Sequence, residues 1–254
     1  MISAPAETAR TAQRTRPLGW LRDNYWAILL ALYCLGFAWY GESRYATLNP
    51  DLSRVTTRPN VSWHYPLLAV HTAAGAVAVS LAWLQVWPWL RERHPKFHRR
   101  VGWTYLLAGV LPAGLAAYPI AVLTTSGQPT RVVLFVIAVL WSITAVAGLR
   151  AAIGHRFADH RKWMLRNVAL TTTIITSRPL AMLFVYGTFK LLPGTYKNQA
   201  DLVYVIMPAT GIWTALVIHL VFVEWYLLRP RRRAPLIPTR TSAERLAEAA
   251  LVGD

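Results

Sequence analysis

Two short stretches of the chain combine histidine with consecutive basic residues, a combination that suits cofactor binding. HPKFHRRVGWTY occupies residues 94–105, and HRFADHRKWMLRN occupies residues 155–167. Each contains a His-Arg-basic triplet, at His98 and at His160, and an apolar segment follows each triplet. Neutral imidazoles from two helices can supply both axial ligands of a haem iron, or can bind zinc or copper. The sequence therefore indicates His98 and His160 as a candidate ligand pair for haem b or a transition metal ion.

The residues around this pair suit the rest of such a site. Arg99, Arg100 and Arg161 are candidates to pair with haem propionates. For a bound metal ion, Gln85, Glu92 or a water would supply a further ligand. The alternative is that these basic and aromatic residues mark only the cytoplasmic ends of membrane helices. Because the fourth apolar segment contains no histidine for a second pair, we expect one haem b at most.

A second candidate site depends on an arginine inside an apolar segment. Arg178 lies in TTTIITSRPL, about 14 residues beyond the predicted start of its helix, or roughly 20 Å along the helix axis. An arginine at membrane depth is costly and is a functional candidate by default. His71 lies at a similar predicted depth, so we expect the two side chains to form a pocket for an anionic or quinone-like ligand. The alternative is a structural role, in which Arg178 binds carbonyl groups that Pro179 leaves free.

More ordinary roles are expected for the other polar residues of the apolar segments. His64 is expected at the membrane interface, whereas His219 and Glu224 are expected to make hydrogen bonds between packed helices. Cys34 is the only cysteine of the chain. It cannot form an intramolecular disulfide, and we expect a free, buried thiol.

The elements that position these residues are long apolar segments. Hydrophobic residues make up 55% of the chain and charged residues 15%, which is unlike an ordinary soluble domain. Six segments are long enough to cross a hydrocarbon core of about 30 Å. Their predicted ranges are 24–42, 65–88, 101–123, 131–150, 164–189 and 203–228. The sequence thus predicts an all-α integral membrane bundle of six transmembrane helices, with helices two to five as its core and helices one and six outside it.

The distribution of basic residues predicts the orientation of this bundle. Twenty of the 27 Lys and Arg residues lie in residues 1–23, 89–100, 150–166 and 229–254. By the positive-inside rule, both termini are cytoplasmic. Residues 1–23 and 229–254 are then cytoplasmic tails, the second strongly basic, on either side of a transmembrane domain at 24–228. The net charge of +16 is explained by this topology and by attraction to anionic membrane lipids, and requires no nucleic acid as a partner.

Four stretches taken together resemble a family of bacterial multi-pass membrane proteins, DUF2306. They are HTAAG at His71, HRRVGWTY from His98, HRKWMLRNVAL from His160, and the later Arg178. The resemblance implies a helical protein of the bacterial plasma (inner) membrane, adds Trp163 to the site candidates and Arg166 to the candidate cofactor-binding residues, but implies no particular reaction. A looser similarity to transmembrane cytochromes b rests on the helical architecture and the paired histidines.

Two hypotheses of different classes follow. In the first, the chain is a membrane-embedded redox or metal-dependent protein, such as an oxidoreductase, with a cofactor on His98 and His160 and a ligand at Arg178. In the second, it is a non-enzymatic protein that binds or transports a lipid or a small anion. The chain contains no phosphate-binding glycine-rich loop, no His-Glu-x-x-His and no Gly-x-Ser-x-Gly motif, so it carries none of these soluble-enzyme signatures.

Overall fold

The computed structural model describes residues 17–192, 194 and 200–229, and within these residues all regular structure is helical. The helices are α1 (Pro17–Glu42), α2 (His64–Val86), α3 (Pro88–Arg93), α4 (Pro95–Thr104), α5 (Leu111–Leu123), α6 (Gly127–Ile153), α7 (Phe157–Leu191) and α8 (Ala200–Leu228). A π-helical segment, Tyr105–Val110, joins α4 to α5. The predicted tails lie largely outside the described residues, and α1 begins at Pro17, seven residues before the predicted start at residue 24.

Five helical segments are long and apolar enough to cross a membrane. They are His64–Val86, Pro95–Leu123, Gly127–Ile153, Phe157–Leu191 and Ile206–Leu228. The all-helical, multi-pass membrane architecture predicted from the sequence is therefore confirmed. Helix α1 is long enough to be a sixth span, but Asn24 and several tyrosines and tryptophans make it less apolar than the others. Its crossing of the membrane, and the side on which the termini lie, stay predictions.

Proline residues shape the end of the bundle that carries the basic connectors. Trp87 and His94 precede Pro88 and Pro95, and both have backbone angles outside the helical region, as steric conflict with a following proline ring requires. The short helix α3 lies between these two breaks. We call this end, formed by residues 87–100 and 154–166, the basic end, and the opposite end, formed by residues 43–63 and 124–126, the far end.

The helices that carry the two histidine motifs begin earlier than the sequence predicted. Helix α4 begins at Pro95 rather than residue 101, because a proline suits the first position of a helix, where no donor is needed. Helix α7 begins at Phe157 rather than residue 164, directly after a turn in which His155 has a φ of 56°. His98 and His160 consequently lie about one turn inside their helices instead of at their first residues.

Small residues allow the helices to pack closely. The main core cluster contains Ala74, Ala78, Ala82, Ala113 and their larger neighbours, as expected where helices associate within a membrane. A Cβ at Gly109 would lie 2.9 Å from atoms of Ala78, and a Cβ at Gly211 would lie 2.7 Å from the carbonyl oxygen of Ser177.

Helix α8 belongs to the core, which corrects the prediction that the last helix lies outside it. Ile212 and Leu216 of α8 are buried in the main cluster, because Gly211 lets α8 approach α7 closely. Helix α1 is more peripheral, as predicted. It contributes Cys34 and Ala38 to a separate small cluster, and the Cys34 thiol is free and buried as expected.

The loop between α1 and α2 folds over the far end. The Arg54 guanidinium donates a hydrogen bond of 3.0 Å to the Tyr40 carbonyl oxygen, and the Arg58 guanidinium donates one of 2.8 Å to the Leu123 carbonyl oxygen. The Arg58 amide also donates to Nδ1 of His64, which is buried. The loop is therefore held to α1, α2 and α5 at the far end of the bundle.

Candidate functional site

The structure brings the two histidine motifs to one cavity at the basic end. This cavity has a volume of about 840 Å³, and its walls come from α1, α2, α3, α4, α6, α7 and α8. His98 of α4 and His160 of α7 both line it, together with Arg99 and Arg161. The remaining wall is mainly apolar and includes Leu106, Leu149 and Met164 among others. The cavity thus combines imidazole, guanidinium and aliphatic groups.

The His160 ring is oriented by a neighbouring helix. Its Nδ1 lies 2.8 Å from the carbonyl oxygen of Gly148 on α6. Because a carbonyl oxygen only accepts hydrogen bonds, Nδ1 carries the proton and donates it. In the neutral ring, Nε2 then keeps an unprotonated lone pair, which is the form that can bind a metal.

His98 occupies the equivalent position in α4, at the fourth residue of the helix. Its ring lies near the backbone carbonyl of Leu84 on α2 and within electrostatic range of His160. Its Nδ1 is buried and has no hydrogen-bond partner among the described residues. Nε2 of Gln85, on the same cavity wall, is also buried without a partner within the described part of the chain. Two unsatisfied polar groups therefore lie at this cavity.

The predicted basic residues have different environments. Arg99 and Arg161 line the cavity. Arg91 also lines it, although it was not predicted to be a site residue. Arg91 lies before the His-Arg motif, so its charge indicated only membrane topology. Arg166 instead forms a two-pronged ion pair with Glu224, with distances of 2.5 and 2.9 Å. It therefore joins α7 to α8, and this contact agrees with the helix-packing role expected for Glu224.

Two other predicted residues also lie apart from the cavity wall. Glu92, considered as a metal ligand, is exposed and interacts with Arg91 at 3.3 Å. Trp163 stacks beneath the Arg166 guanidinium, whose Cζ lies 5.0 Å from the ring centroid. Within the described residues, no three His, Cys, Asp or Glu side chains cluster as a metal site of protein ligands alone would require. A metal ion at His98 and His160 would therefore also need the Gln85 amide or water.

A buried polar network lies about two turns further into the bundle than the histidines. The Tyr105 hydroxyl lies 2.7 Å from both Oδ1 of Asn167 and the Thr171 hydroxyl. Nε1 of Trp141 donates to the same Thr171 hydroxyl at 2.9 Å, and Nδ2 of Asn167 donates to the Thr144 hydroxyl at 2.9 Å. The residues of this network were not predicted from the sequence. One available signal was its spacing, because Tyr105 follows His98, and Asn167 follows His160, by seven residues in each case.

The other two intramembrane histidines make contacts between helices. Nδ1 of His71 donates to the Ala113 carbonyl oxygen on α5 at 2.9 Å. Nδ1 of His219 donates to the Ala169 carbonyl oxygen on α7 at 2.7 Å, and its Nε2 lies 3.1 Å from the Thr176 hydroxyl. The packing role expected for His219 is confirmed. His64 lies at the far end as expected, although it is buried beneath the loop.

Arg178 has neighbours on α1 and in the loop after it. Its side chain is exposed and lies within electrostatic range of Tyr40, Tyr45 and Arg54, near the far end of α1. No hydrogen bond or ion pair to any described residue is formed by its side chain. The structure thus does not join Arg178 to His71 by a hydrogen bond, nor to carbonyls freed by Pro179.

A protein family model matches the part of the chain that contains most of these residues. Residues 68–227 match the model of DUF2306, a family described as predicted membrane proteins. The chain belongs to the DUF2306 family. No curated protein and no solved structure matches it significantly.

The DUF2306 match includes the candidate site residues of the spanning helices but not all of their neighbours. The DUF2306 region includes the basic-end cavity histidines, the buried network and Arg178. It leaves out α1 and the loop that follows, and so leaves out Tyr40 and Arg54. The basic-end histidine pair therefore lies within the DUF2306 region, whereas the surroundings of Arg178 are completed by residues outside it.

Proposed function

We propose that the chain is a membrane-embedded redox or metal-dependent protein of the bacterial inner membrane. In this proposal, His98 and His160 hold haem b or a transition metal ion, and Arg178 contributes to the site of an anionic or quinone-like ligand. The observation that carries the proposal is that the two histidines come from two helices, α4 and α7, and line one cavity together with Arg91, Arg99 and Arg161.

The residues of the cavity fit a haem. Its volume of about 840 Å³ is within the usual range of about 300–1,000 Å³ for small-molecule and cofactor pockets. Its aliphatic wall suits a macrocycle, and Arg91, Arg99 and Arg161 suit two acidic substituents. The buried Nδ1 of His98 lacks a partner in the described part of the chain, so a bound group would relieve an unsatisfied polar atom. When bound, haem would supply one-electron transfer.

The protein's own residues would orient the ligands. The Gly148 carbonyl accepts the Nδ1–H of His160, which is the kind of outer contact that holds a ligating imidazole in one tautomer and one orientation. The His98 ring lies near the backbone carbonyl of Leu84 on α2. The arginines would bind acidic groups at the cavity, while the apolar wall would exclude water from the ligand.

An absorption spectrum and metal analysis of the purified protein test this proposal. We expect either a haem spectrum or about one equivalent of a transition metal per chain, by the donor chemistry of paired imidazoles. His98→Ala and His160→Ala should each abolish the bound group. His94→Ala is the matched control, because His94 is exposed, packs on Trp89 with ring centroids 5.0 Å apart, and does not line the cavity.

Two outcomes would contradict the cofactor assignment. A preparation that is colourless and free of metal would remove the redox or metal-dependent function. If both the His98→Ala and the His160→Ala variant retained the bound group, residues other than these histidines would be its ligands.

The second candidate function is non-enzymatic binding or transport of a lipid or small anion. The observation that favours it is the exposed Arg178 guanidinium, which has no hydrogen-bonding partner among the described residues. In this alternative, the basic-end arginines contact lipid headgroups and the histidines only stabilise helix ends.

A further inference from the structure

The helices that carry the two histidine motifs contact each other at equivalent positions. Tyr105 follows His98, and Asn167 follows His160, by seven residues in each case, which is two turns or roughly 10 Å along a helix. The Tyr105 hydroxyl lies 2.7 Å from Oδ1 of Asn167. Both helices begin at the basic end. The two motifs therefore run in the same direction, and the cavity lies between them on the basic-end side of this contact.

The wall of the cavity that carries His160 is fixed to α6 at several levels. Nδ1 of His160 donates to the Gly148 carbonyl oxygen at 2.8 Å. Further into the bundle, Nδ2 of Asn167 donates to the Trp141 carbonyl oxygen at 3.0 Å, and Nε1 of Trp141 donates to the Thr171 hydroxyl at 2.9 Å. Helix α6 therefore holds both His160 and the network residues of α7 in place.

The opposite wall, which carries His98, has a less regular backbone. Helix α4 begins after His94, whose φ of −132° and ψ of 61° are not helical, and it ends where the π-helical segment starts at Tyr105. Within the described residues, both hydrogen bonds between residues 95–110 and α7 come from the Tyr105 hydroxyl, which also lies 2.7 Å from the Thr171 hydroxyl. This hydroxyl is thus the polar connection between the His98 helix and α7.

The surroundings of the hydroxyl make this connection strong and place a pivot beside it. Tyr105 and Asn167 are both 0% exposed, so water does not compete for their hydrogen bond, and a polar group left without a partner there is costly. One turn further on, a Cβ at Gly109 would lie 2.9 Å from atoms of Ala78 on α2. The π-helical segment is therefore packed tightly on α2, and loss of the hydroxyl would release α4 on the basic-end side of that contact.

We infer that Tyr105 is a positioning residue whose hydroxyl sets the separation of His98 and His160 across the basic-end cavity. The inference rests on the proposed role of the two histidines as ligands and adds the group that holds them at one spacing. Ligands of a bound metal or haem must be kept within about 0.5 Å of the productive geometry. Tyr105 does not line the cavity, so it acts through the positions of the two helices.

Pulsed electron paramagnetic resonance on the purified full-length chain tests this inference without any bound group. In the Cys34→Ala background, spin labels are attached at Lys96→Cys on α4 and Lys162→Cys on α7, which are both exposed and outside the cavity wall. We expect one narrow distribution of distances between the labels. Addition of Tyr105→Phe, which keeps the ring and removes only the hydroxyl, should broaden this distribution and shift it to longer distances.

Tyr118→Phe is the matched control for this experiment. The Tyr118 hydroxyl also joins two helices, because it lies 3.0 Å from the Ser142 hydroxyl on α6, but Tyr118 does not line the cavity or contact α7 through this group. Its loss should lower stability and leave the distance between the labels unchanged. Thr171→Val is a second test variant, since it removes a hydroxyl that Tyr105 contacts and keeps the shape of the side chain. It should shift the distance in the same direction as Tyr105→Phe.

Two results would overturn the inference. One is an unchanged distance between the labels in Tyr105→Phe, with Thr171→Val deciding the question if Tyr105→Phe does not fold. The other is an equal shift in Tyr118→Phe, because the effect would then follow the loss of stability and not the contact between Tyr105 and α7.

Haem and metal content of the same variants separates this inference from the cofactor proposal. If the histidines hold a group, Tyr105→Phe should weaken its binding roughly tenfold, the scale of losing an outer contact that orients metal ligands, and Tyr118→Phe should retain it. A parent protein with neither haem nor metal would remove the cofactor assignment, and the label distances would still test the positioning role. A bound group with unchanged affinity and unchanged label distances in Tyr105→Phe would keep the cofactor and remove this inference.

Discussion

Three histidines in the apolar segments direct one ring nitrogen at a backbone carbonyl oxygen of another helix. The distances are 2.9 Å for His71, 2.8 Å for His160 and 2.7 Å for His219. In a membrane interior, an unsatisfied polar group costs several kcal/mol, so such contacts stabilise the neutral rings in one orientation. Of these three, only His160 also lines the basic-end cavity, where it is accompanied by His98. This combination marks the pair as the candidate ligands.

The buried network beyond the histidines yields a prediction at the scale of single residues. Asn167→Leu should destabilise the protein by about 1–2 kcal/mol, because it leaves the hydroxyls of Tyr105 and Thr144 with fewer buried partners. Tyr105→Phe should act in the same direction, and the double variant should cost less than the sum of the two single changes. Unfolding in mixed micelles would measure these differences.

The comparison variant for this network is Tyr186→Phe. Tyr186 lies on α7 but is 63% exposed, so loss of its hydroxyl should leave stability unchanged. Additive effects of Tyr105→Phe and Asn167→Leu would contradict coupling through one network.

The candidate site could be predicted from the sequence only where its residues are unusual for a membrane segment. His98, His160 and Arg178 are conspicuous there, because charged and imidazole groups are rare in apolar helices. Threonine, tyrosine and tryptophan are common in membrane helices. Their meeting at Thr171 depends on how the π-helical segment, α6 and α7 are rotated about their axes, which hydropathy does not determine.

At the scale of helices, close approach at two glycines determines which elements form the core. A Cβ at Gly211 would lie 2.7 Å from the Ser177 carbonyl oxygen and 2.8 Å from Cβ of Ala181. Gly211→Ala should therefore push α8 away from α7 and destabilise the fold by about 1–3 kcal/mol. The thermal unfolding midpoint of the purified protein would measure the loss.

Gly187→Ala provides the matched control on the partner helix. No atom lies within 4 Å of a Cβ built at Gly187, and its position in α7 is helical. The change should raise stability by about 0.5–1 kcal/mol through helix propensity alone. A Gly211→Ala variant as stable as Gly187→Ala would show that α8 has room to move.

The helices were more predictable than their ends and their packing. Apolar length predicted all five of the described helical segments that are long and apolar enough to cross a bilayer, since about 20 apolar residues are needed for a crossing. It placed the starts of α4 and α7 six or seven residues late, because charged residues such as Lys96 and Asp159 occupy their first turns. The sequence also predicted α8 outside the core, because hydropathy contains no information on the close approach between α7 and α8 that Gly211 allows.

At the scale of the whole molecule, the two ends of the bundle differ in their number of basic residues. The connectors at 89–100 and 150–166 contain ten Lys and Arg residues, and α1 begins beside the basic end, where Nε1 of Trp87 donates to Oδ1 of Asn24 at 2.7 Å. If α1 crosses the membrane as predicted, Arg22 lies on the same side as the basic connectors. The loop at residues 43–63 then lies on the opposite side.

Cysteine labelling in intact cells tests this arrangement, and the chain is suited to it. Its only cysteine, Cys34, is free and buried, so it should react poorly with a membrane-impermeant maleimide, and Cys34→Ala removes it entirely. In that background we expect Asn60→Cys to be labelled from outside, while Arg22→Cys and Lys96→Cys are labelled only after the membrane is opened. All three positions have exposed side chains, so accessibility within the fold does not limit the reaction. If Arg22→Cys and Asn60→Cys were both labelled from outside, α1 would not cross the membrane. If Lys96→Cys were labelled from outside and Asn60→Cys were not, the bundle would have the opposite orientation in the membrane.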